Sequence, residues 1–220
     1  MHQPTQQVVA VLGGTGDQGR GLARRLAAAG VRVILGSRDA ARAEQVAAVL
    51  AAEGGPISGA DNAAAATCGD VVIVAVPWSG HRELLSSLVA DLAGKVVVDC
   101  VNPLGFDAQG AYALEVAEGS AAQQAAAVLP ESRVVGAFHH VSAALLQDPG
   151  VDRIDTDVLV VGDDREAVEL VIALAERVPG MRGVYAGRLR NAGQVEAMTA
   201  NLIAVNRRYR AHAGLRVTGL

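Results

Sequence analysis

Short, continuous apolar runs alternate with longer segments of helical spacing along the first half of the chain. The apolar runs stop at glycine, proline or polar residues and lie at 8–12, 31–35, 71–76 and 95–99, with a shorter one at 57–59. Such runs are typical of strands that are buried on both faces of a parallel sheet. Between them, helices are predicted at 19–29, 40–52, 62–67 and 81–92. The alternation predicts an α/β fold with an N-terminal Rossmann unit, that is, a doubly wound parallel sheet.

After about residue 110 the pattern becomes less regular. Strands are predicted at 133–138, 157–161 and 181–185, and helices at 120–129, 165–178 and 191–211. The last helix would be about 30 Å long at the usual rise per residue. We therefore expect a Rossmann domain over residues 1–135 and a small C-terminal α/β extension over residues 136–220 that ends in a long helix.

Composition excludes several classes of protein. The chain has 220 residues, of which 51% are hydrophobic and 19% charged, so it can bury a core and is not expected to be disordered. The net charge of -4 gives no basic surface for nucleic acid, and no apolar run approaches the ~20 residues of a membrane span. Cys68 and Cys100 form no Cys-x-x-Cys pair, so we expect neither a disulfide framework nor a metal site. Residues 1–7 lack the features of a signal peptide, so we expect a cytoplasmic protein.

The turn between the first strand and the first helix contains the spacing Gly-x-Gly-x-x-Gly, at Gly14, Gly16 and Gly19. Its position, after an apolar strand and at the start of a helix, is the context that a dinucleotide-binding loop requires. Gly14 would permit a tight turn, Gly16 would let the backbone approach a pyrophosphate, and Gly19 would let the helix pack closely on the strand. The helix N-terminus would present free N–H groups to the phosphates. The motif predicts a nucleotide cofactor, and an ordinary glycine-rich turn is the alternative.

The residues after the second strand favour NADP over NAD. An NAD-binding protein carries an acidic side chain near the end of this strand, which bonds the 2′-hydroxyl of the ribose. Here the strand ends at Ser37 and Arg38, and Arg42 follows one helical turn later. A hydroxyl and guanidinium groups suit a 2′-phosphate. Asp39 is expected to cap the next helix rather than to bind ribose.

One further motif has two interpretations. Val76, Pro77 and Trp78 end the strand that lies at the switch point of the predicted sheet, where ligands bind. Pro77 and Trp78 could form a wall beside the nicotinamide, or Trp78 could only pack against the start of a helix. His81 and His212 are expected to lie on the surface.

Five motifs occur in an order that resembles a known family. They are Gly-Gly-Thr-Gly-Asp-Gln-Gly at 13–19, Gly-Ser-Arg at 36–38, Val-Pro-Trp at 76–78, Ala-Phe-His-His-Val-Ser-Ala at 137–143 and Gly-Asp-Asp at 162–164. Together they resemble the NADPH:coenzyme F-420 oxidoreductases, also called 8-hydroxy-5-deazaflavin-dependent NADP reductases. The resemblance covers nearly the whole chain and is strongest before Val101. Residues 139–143 read His-His-Val-Ser-Ala where that family often has His-Thr-Ile-Pro-Ala.

The resemblance implies a function and a set of site residues. It implies that NADP(H) binds to the Rossmann unit, that the C-terminal part completes a cleft for the deazaflavin, and that a hydride passes directly between nicotinamide C4 and deazaflavin C5. The implied pyrophosphate loop comprises Thr15, Gly16, Asp17 and Gln18. The implied 2′-phosphate site comprises Ser37, Arg38 and Arg42. The implied neighbours of the ribose and nicotinamide are Val76, Asn102 and Ala143, and those of the deazaflavin ring are His139 and Val141.

The expected chemistry makes small demands on side chains, because hydride transfer between two bound rings needs orientation rather than an acid, a base or a nucleophile. His139 and Val141 would therefore position the ring. His139 could instead be a strand-end histidine that bonds only to the backbone. Two other functions remain open from the residues alone: an NADPH-dependent reductase of another acceptor, and an NADP(H)-sensing module without turnover.

The last predicted helix carries two more features. Its apolar residues are spaced by three and four, which indicates a core or a partner helix, and we expect a homodimer. These residues are Val195, Met198, Leu202 and Val205. Near the end of the helix, Arg207, Arg208 and Arg210 either compensate the helix dipole or meet the acidic tail of the deazaflavin.

Overall fold

The computed structural model describes residues 7–220, so the expectation about a signal peptide falls mostly outside the described range. The strands of its main sheet are β1 (Val8–Leu12), β2 (Arg32–Ser37), β3 (Ile57–Asp61), β4 (Val71–Val74), β5 (Val96–Asp99), β8 (Arg133–Gly136), β9 (Thr156–Gly162) and β10 (Met181–Gly187). A separate antiparallel hairpin consists of β6 (Leu104–Asp107) and β7 (Gly110–Ala113). The order of strands across the main sheet is β10-β9-β8-β5-β4-β1-β2-β3.

Helices cover both faces of this sheet. They are α1 (Asp17–Ala28), α2 (Ala40–Glu53), α3 (Asn62–Cys68), α4 (His81–Ser87), α5 (Val89–Leu92), α6 (Ala121–Val128), α7 (Ala143–Gln147), α8 (Arg165–Glu176) and α9 (Ala192–Tyr209). Single 3-10 turns lie at Trp78–Gly80 and Leu189–Asn191. Within residues 7–220, no helix combines the length and the hydropathy that crossing a membrane would require.

The six strands β3-β2-β1-β4-β5-β8 are parallel and form the Rossmann unit. The predicted α/β fold with a Rossmann sheet and a long last helix is therefore confirmed. β9 and β10 are parallel to each other, but β9 pairs with β8 in the antiparallel direction. Periodicity could not predict this direction, because it reports which faces of a strand are buried and not which way the strand runs. The division at residue 135 stays a prediction, and the sheet continues through it because β8 spans Arg133–Gly136.

Alternate residues of the central strands enter two separate cores. On β1, Val9 and Val11 pack with residues of α1, α2 and α8 on one face of the sheet. Ala10 and Leu12 pack with residues of α3, α4, α6 and α9 on the other face. Burial on both faces explains why these strands are continuous apolar runs in the sequence.

Three elements differ from the prediction. The helix expected at 81–92 is two helices, because the backbone at Leu88 leaves the helical region with φ -118° and ψ 14°. The hairpin β6–β7 was missed because its side chains are largely exposed, Phe106 at 69% and Tyr112 at 47%, so its strands form no continuous apolar run. The five-residue helix α7 was also missed, since it is too short to show a helical period.

Candidate functional site

Four loops meet at one edge of the sheet. They follow β1, β4, β5 and β8, which are neighbouring parallel strands and therefore end at the same edge. In open α/β sheets, ligands bind in the crevice beyond these carboxyl ends. The loops contain the residues that the sequence singled out, at 13–19, 76–78, 100–102 and 137–143.

The turn after β1 leaves no space for a side chain at its first two glycines. Gly13 has a φ of +73°, and a Cβ there would lie 2.5 Å from the carbonyl oxygen of Ala75 and 2.7 Å from Cγ1 of Val76. The tight turn that was predicted at Gly14 therefore has its left-handed residue at Gly13. Gly14 is instead packed against β2, because a Cβ on it would lie 2.5 Å from Cδ2 of Leu35.

The start of α1 fits a bound phosphate. Gly16 is exposed, and a Cβ on it would meet only the carbonyl oxygen of Gly13, at 3.4 Å, so its surface is open to a ligand. A Cβ on Gly19 would lie 2.7 Å from the same oxygen, which is the close helix packing that the motif predicts. Because Gly16 is the N-cap and has no side chain, the first N–H groups of α1 carry no side-chain cap. Half-buried Thr15 belongs to this turn.

Two side chains of the loop have other contacts. The Gln18 side-chain amide donates to the carbonyl oxygen of Phe138 at 3.2 Å. The exposed carboxylate of Asp17 lies 3.7 Å from the guanidinium of Arg20. A carboxylate repels phosphate, so the part of Asp17 that suits a pyrophosphate is its backbone N–H.

The end of β2 has free positive charge. Arg38 and Arg42 are exposed, and neither has an ion-pair partner among residues 7–220. Asp39 caps α2 by accepting from the backbone N–H of Arg42 at 3.1 Å, so its predicted role as a helix cap is confirmed. Ser37 is 8% exposed, and its hydroxyl accepts from the N–H of Asp39 at 3.2 Å. This arrangement fits a 2′-phosphate better than a ribose 2′-hydroxyl.

Asn62 lies against Gly36 of β2 and could not be recognised as a site residue from the sequence. Its Oδ1 is buried without a hydrogen-bond partner in the described chain, and a Cβ on Gly36 would lie 2.9 Å from it. The carboxylate of Asp61, which precedes it, accepts from the N–H of Ala64 and caps α3. No pattern in the sequence marked Asn62, because its proximity to Gly36 results from the pairing of β2 with β3.

The loop after β4 joins the turn after β1. Val76 is half-buried and lies against Gly13, and exposed Pro77 precedes the 3-10 turn. The ring of Trp78 is centred 5.5 Å from the ring of His81, the first residue of α4. Trp78 therefore packs on the start of a helix, and a contact of Pro77 or Trp78 with nicotinamide stays a prediction.

His81 is not on the surface, and that expectation was wrong. The side chain is fully buried, its Nε2 lies 2.6 Å from Oδ2 of Asp99 and its Nδ1 lies 3.0 Å from Oε1 of Gln124. Burial acts to lower the pKa of His81, but the hydrogen bond and charge of Asp99 outweigh it and raise that pKa. A signal existed, because His81 lies four residues before Leu85 on the apolar stripe of its helix. His212 is exposed, as predicted.

Asp99 and Glu196 are two buried carboxylates that bind elements packed around this histidine. The other oxygen of Asp99 accepts from the N–H of Val101, which fixes the loop after β5. Glu196 of α9 is 2% exposed and accepts from the N–H groups of Ala121 and Ala122 at the start of α6. Burial raises the pKa of Glu196 to about 7. Glu196 could not be recognised from the sequence, because it lies within a helix whose pattern indicated a core or a partner helix.

The segment after β8 turns sharply at Phe138. This residue is fully buried and has a φ of +62°, a conformation that is rare for a side-chain-bearing residue. His139 is 3% exposed, and a Cβ on Gly136 would lie 3.0 Å from its Nε2, so the imidazole folds back over β8. Its carbonyl oxygen accepts from the side chains of Asn102 at 2.8 Å and Thr199 at 3.2 Å.

The remaining residues of this segment differ in exposure. Val141 is 5% exposed and belongs to a core, whereas Ala143 is half-buried at the start of α7. His140 is 4% exposed, and its Nε2 accepts from the N–H of Leu159 at 3.3 Å. Burial lowers the pKa of both His139 and His140 to about 4, so both imidazoles are neutral near pH 7. Contacts of His139 and Val141 with a deazaflavin stay predictions.

The three arginines at the end of α9 are exposed and line an open groove between α9 and the hairpin β6–β7. The groove has a volume of about 620 Å³ and is also lined by Phe106 and Ile203. Arg210 forms the C-cap of α9 with a φ of +53°, so the cluster lies at the negative end of the helix dipole.

Comparison with known proteins assigns this site to a family. The sequence profile described as "NADP oxidoreductase coenzyme F420-dependent" matches residues 8–103. The chain is 40% identical to the F420-dependent NADP reductase of Methanothermobacter thermautotrophicus, over 96% of this chain and 95% of that protein. This chain belongs to the F420-dependent NADP reductase family. The resemblance read from the sequence motifs is thereby confirmed.

Two further proteins are similar to this chain over nearly its whole length. Over 96% of this chain and 98% of the other protein, the chain is 39% identical to the F420-dependent NADP reductase of Methanocaldococcus jannaschii. A protein from Arthrobacter sp. FB24, known from a crystal structure, is 27% identical to this chain in sequence. The two structures superpose with a TM-score of 0.83, and the match covers 96% of this chain and 99% of the other. The similarity of this F420-dependent NADP reductase family member to its relatives therefore extends beyond the Rossmann unit.

Replacing Arg38 by serine should weaken NADPH binding without weakening NADH binding. A hydrogen bond to a charged group contributes about 1.5–3 kcal/mol, so the dissociation constant for NADPH should rise about ten- to a hundredfold. Fluorescence titration with each nucleotide measures the effect. Arg32→Ser, at the exposed opposite end of β2, is the matched control and should change neither constant. Equal weakening of both nucleotides by Arg38→Ser would contradict a 2′-phosphate site.

His140 should make the protein less stable in acid. Its pKa is about 4 in the folded protein, below the ordinary 6.5, so the fold favours the neutral form. Its contribution is complete above pH 6.5 and is lost as the pH falls towards 4. In His140→Gln, which keeps an acceptor for Leu159 but cannot be protonated, the loss of unfolding free energy between pH 7.5 and 4.5 should be smaller by about 2 kcal/mol. Guanidinium unfolding at both pH values measures it.

His212→Gln is the control for this experiment, because His212 is exposed. It should show the same pH dependence as the unmodified chain. An unchanged pH dependence in His140→Gln would show that His140 is not held neutral by burial.

Proposed function

We propose that this chain is an oxidoreductase that transfers a hydride between NADP(H) and the deazaflavin coenzyme F-420. The observation that carries the proposal is the 40% identity, over nearly the full length of both chains, to a relative named F420-dependent NADP reductase. The exposed side chains of Arg38 and Arg42, which follow β2, and the open start of α1 support it, because they suit the 2′-phosphate and the pyrophosphate of NADP(H).

The residues would hold NADP(H) along the edge of the sheet. Backbone N–H groups of Thr15, Asp17 and Gln18 would bind the pyrophosphate at the start of α1. The N–H groups of Gly14 and Gly16 already donate to backbone carbonyl groups. Arg38 and Arg42 would bind the 2′-phosphate, with the Ser37 hydroxyl beside them. Val76, Pro77 and Trp78 would then border the ribose and nicotinamide, together with the Asn102 and Ala143 positions across the crevice.

The second site would lie where residues 137–143 approach the loop after β5. When bound, NADPH supplies a hydride that the oxidised deazaflavin accepts together with a proton. The chain itself orients the two rings and excludes water from between them. Val141 and the backbone of His139 would position the deazaflavin, since Asn102 and Thr199 fix the carbonyl oxygen of His139.

The two parts of the chain would have different roles. We infer that residues 1–135 bind NADP(H) and residues 136–220 complete the deazaflavin cleft. The partners would be small molecules and a second copy of this chain, with neither nucleic acid nor a membrane, and the protein would act in the cytoplasm. The arginines at 207, 208 and 210 suit either the helix dipole or an anionic tail of the second substrate.

Mixing the purified protein with NADPH and oxidised coenzyme F-420 should bleach the deazaflavin absorbance band. NADH in a parallel cuvette should bleach it much more slowly, because it lacks the phosphate that Arg38 and Arg42 would bind. Protein heated until unfolded is the control for uncatalysed transfer.

The outcomes of this assay separate the competing functions. No bleaching, together with NADPH binding, would contradict the proposal. Turnover with an imine, a quinone or a metal chelate would then identify a reductase of another acceptor. Binding of NADPH without turnover of any acceptor would identify a sensing module.

Sedimentation should show a dimer of twice the 22.5 kDa chain. Phe106 on β6 and Tyr209 at the end of α9 are 69% and 73% exposed, and large exposed apolar side chains on neighbouring elements are typical of an interface. Phe106→Ser combined with Tyr209→Ser should shift the protein towards monomer. Val49→Ser on α2 removes a similarly exposed residue elsewhere and should leave the mass unchanged. A monomeric unmodified chain would contradict the homodimer.

A further inference from the structure

One face of α1 is directed at the segment that follows β8. Gln18, Gly21 and Arg25 are spaced by three and then four residues, so they lie in a line along this helix. The line is about 10 Å long, from the phosphate end of α1 to its last turn. Each of the three residues contacts the segment 138–151.

Arg25 makes the most extensive of these contacts. Its guanidinium donates to the carbonyl oxygens of four residues in and after α7, with Nε bonded to Leu146 at 2.9 Å and Nη1 bonded to Val151 at 2.5 Å. Nη2 donates to Leu145 at 2.6 Å and to Asp148 at 2.8 Å. Arg25 is only 9% exposed, and within the described residues it has no carboxylate within 4 Å.

These hydrogen bonds stabilise α7, which is too short to be stable alone. A helix of five residues leaves its last carbonyl groups without partners inside the helix and is not stable in isolation. A guanidinium presents its donors in a fixed plane, so it can bind several of these carbonyl groups at once, and its charge suits the negative end of the helix. The position of α7 therefore depends on a side chain of α1.

Gly21 allows α7 to approach closely. A Cβ on Gly21 would lie 2.5 Å from Cβ of Leu146, a distance that real side chains do not reach. Arg20 of α1 also bonds to the side chain of Gln147. At the other end of the line, Gln18 and the N–H of Val141 both donate to the carbonyl oxygen of Phe138.

We propose that Arg25 is a positioning residue, which holds the deazaflavin-facing segment at a fixed distance from the dinucleotide-binding loop. The same helix provides the phosphate-binding N-terminus and the support for α7, so the two substrate sites share one rigid element. Arg25 contacts neither substrate in this arrangement. The inference rests on the proposed function, because it assigns the second substrate to residues 137–143.

The two sites must be held in this way because ring-to-ring transfer is sensitive to geometry. A displacement of about 1 Å far from the reacting atoms can lower a rate about a hundredfold. Loss of the Arg25 bonds would displace α7 and residues 139–143, which precede it, but would leave the turn after β1 in place. We therefore expect the two substrates to be affected unequally.

Arg25→Lys tests the proposal with the charge retained, because an ammonium group cannot bind the four carbonyl groups that the planar guanidinium reaches. The dissociation constant for NADPH, from fluorescence titration, should change by less than about twofold. The kcat/KM for coenzyme F-420 should fall about ten- to a hundredfold. Hydrogen exchange at the amides of residues 144–151 should become faster, whether or not any substrate is present.

Arg24→Lys is the matched control. Arg24 is the neighbouring residue on α1, and its Nε pairs with Glu53 of α2 at 2.6 Å, so it contacts the Rossmann unit and not α7. This variant should change neither the exchange at residues 144–151 nor the KM for coenzyme F-420. Equal effects of the two substitutions, or an equal loss of NADPH binding in Arg25→Lys, would overturn the proposal.

Gly21→Ala provides a second test that leaves every charge unchanged and applies even where Arg25→Lys does not fold. The added Cβ would push Leu146 away, so it should produce the same pattern of weaker deazaflavin turnover, faster exchange at residues 144–151 and retained NADPH binding. Normal exchange and turnover in this variant would contradict the proposal. Absence of deazaflavin turnover in the unmodified chain would refute the proposed function, and the exchange experiment would still report whether Arg25 holds α7.

Discussion

The contact between the turn after β1 and the loop after β4 is the constraint on which the rest of the structure depends. At Gly13, backbone lies against the backbone of Ala75 with no space for a Cβ, and at Gly19 the helix lies against Gly13 in the same way. A side chain can adapt to a change by rotating, but a contact between two backbones cannot. The axis of α1 is therefore fixed relative to β1 and β4. The segments that pack on α1 are positioned by this helix in turn.

Hydrogen bonds of buried polar groups fix the positions of the other loops. Asp99 binds His81 with one oxygen and the N–H of Val101 with the other, so the start of α4 and the loop after β5 are held by one carboxylate. Glu196 joins α9 to the first turn of α6. Each of these groups has its hydrogen bonds, as burial requires. They connect elements on the face of the sheet that α4, α6 and α9 cover, whereas Arg25 connects α1 to α7 on the opposite face.

The sequence was sufficient to predict the parts of the fold whose signal is local. The runs 8–12 and 71–76 matched β1 and β4 because strands buried on both faces are apolar throughout, and the glycine spacing located the phosphate loop. The direction of β9 could not be predicted, because an apolar run reports burial and not direction. The hairpin at 104–113 could not be predicted, because its exposed strands form no apolar run. The bonds of Arg25 join residues about 120 positions apart, and a single sequence contains no signal for such a contact.

His139 illustrates how the chemistry of this site differs from that of enzymes that rely on acids and bases. Its imidazole is buried over Gly136, has no partner for either nitrogen among residues 7–220, and has a pKa of about 4. A group that is neutral near pH 7 and so weakly basic is a poor proton donor, because few molecules carry the proton at any moment. What the residue offers is its backbone, which Asn102 and Thr199 hold by the carbonyl oxygen. In the proposed function, the residues of this site act by fixing positions, and Arg25, which lies outside the crevice, is the residue we propose to keep those positions accurate.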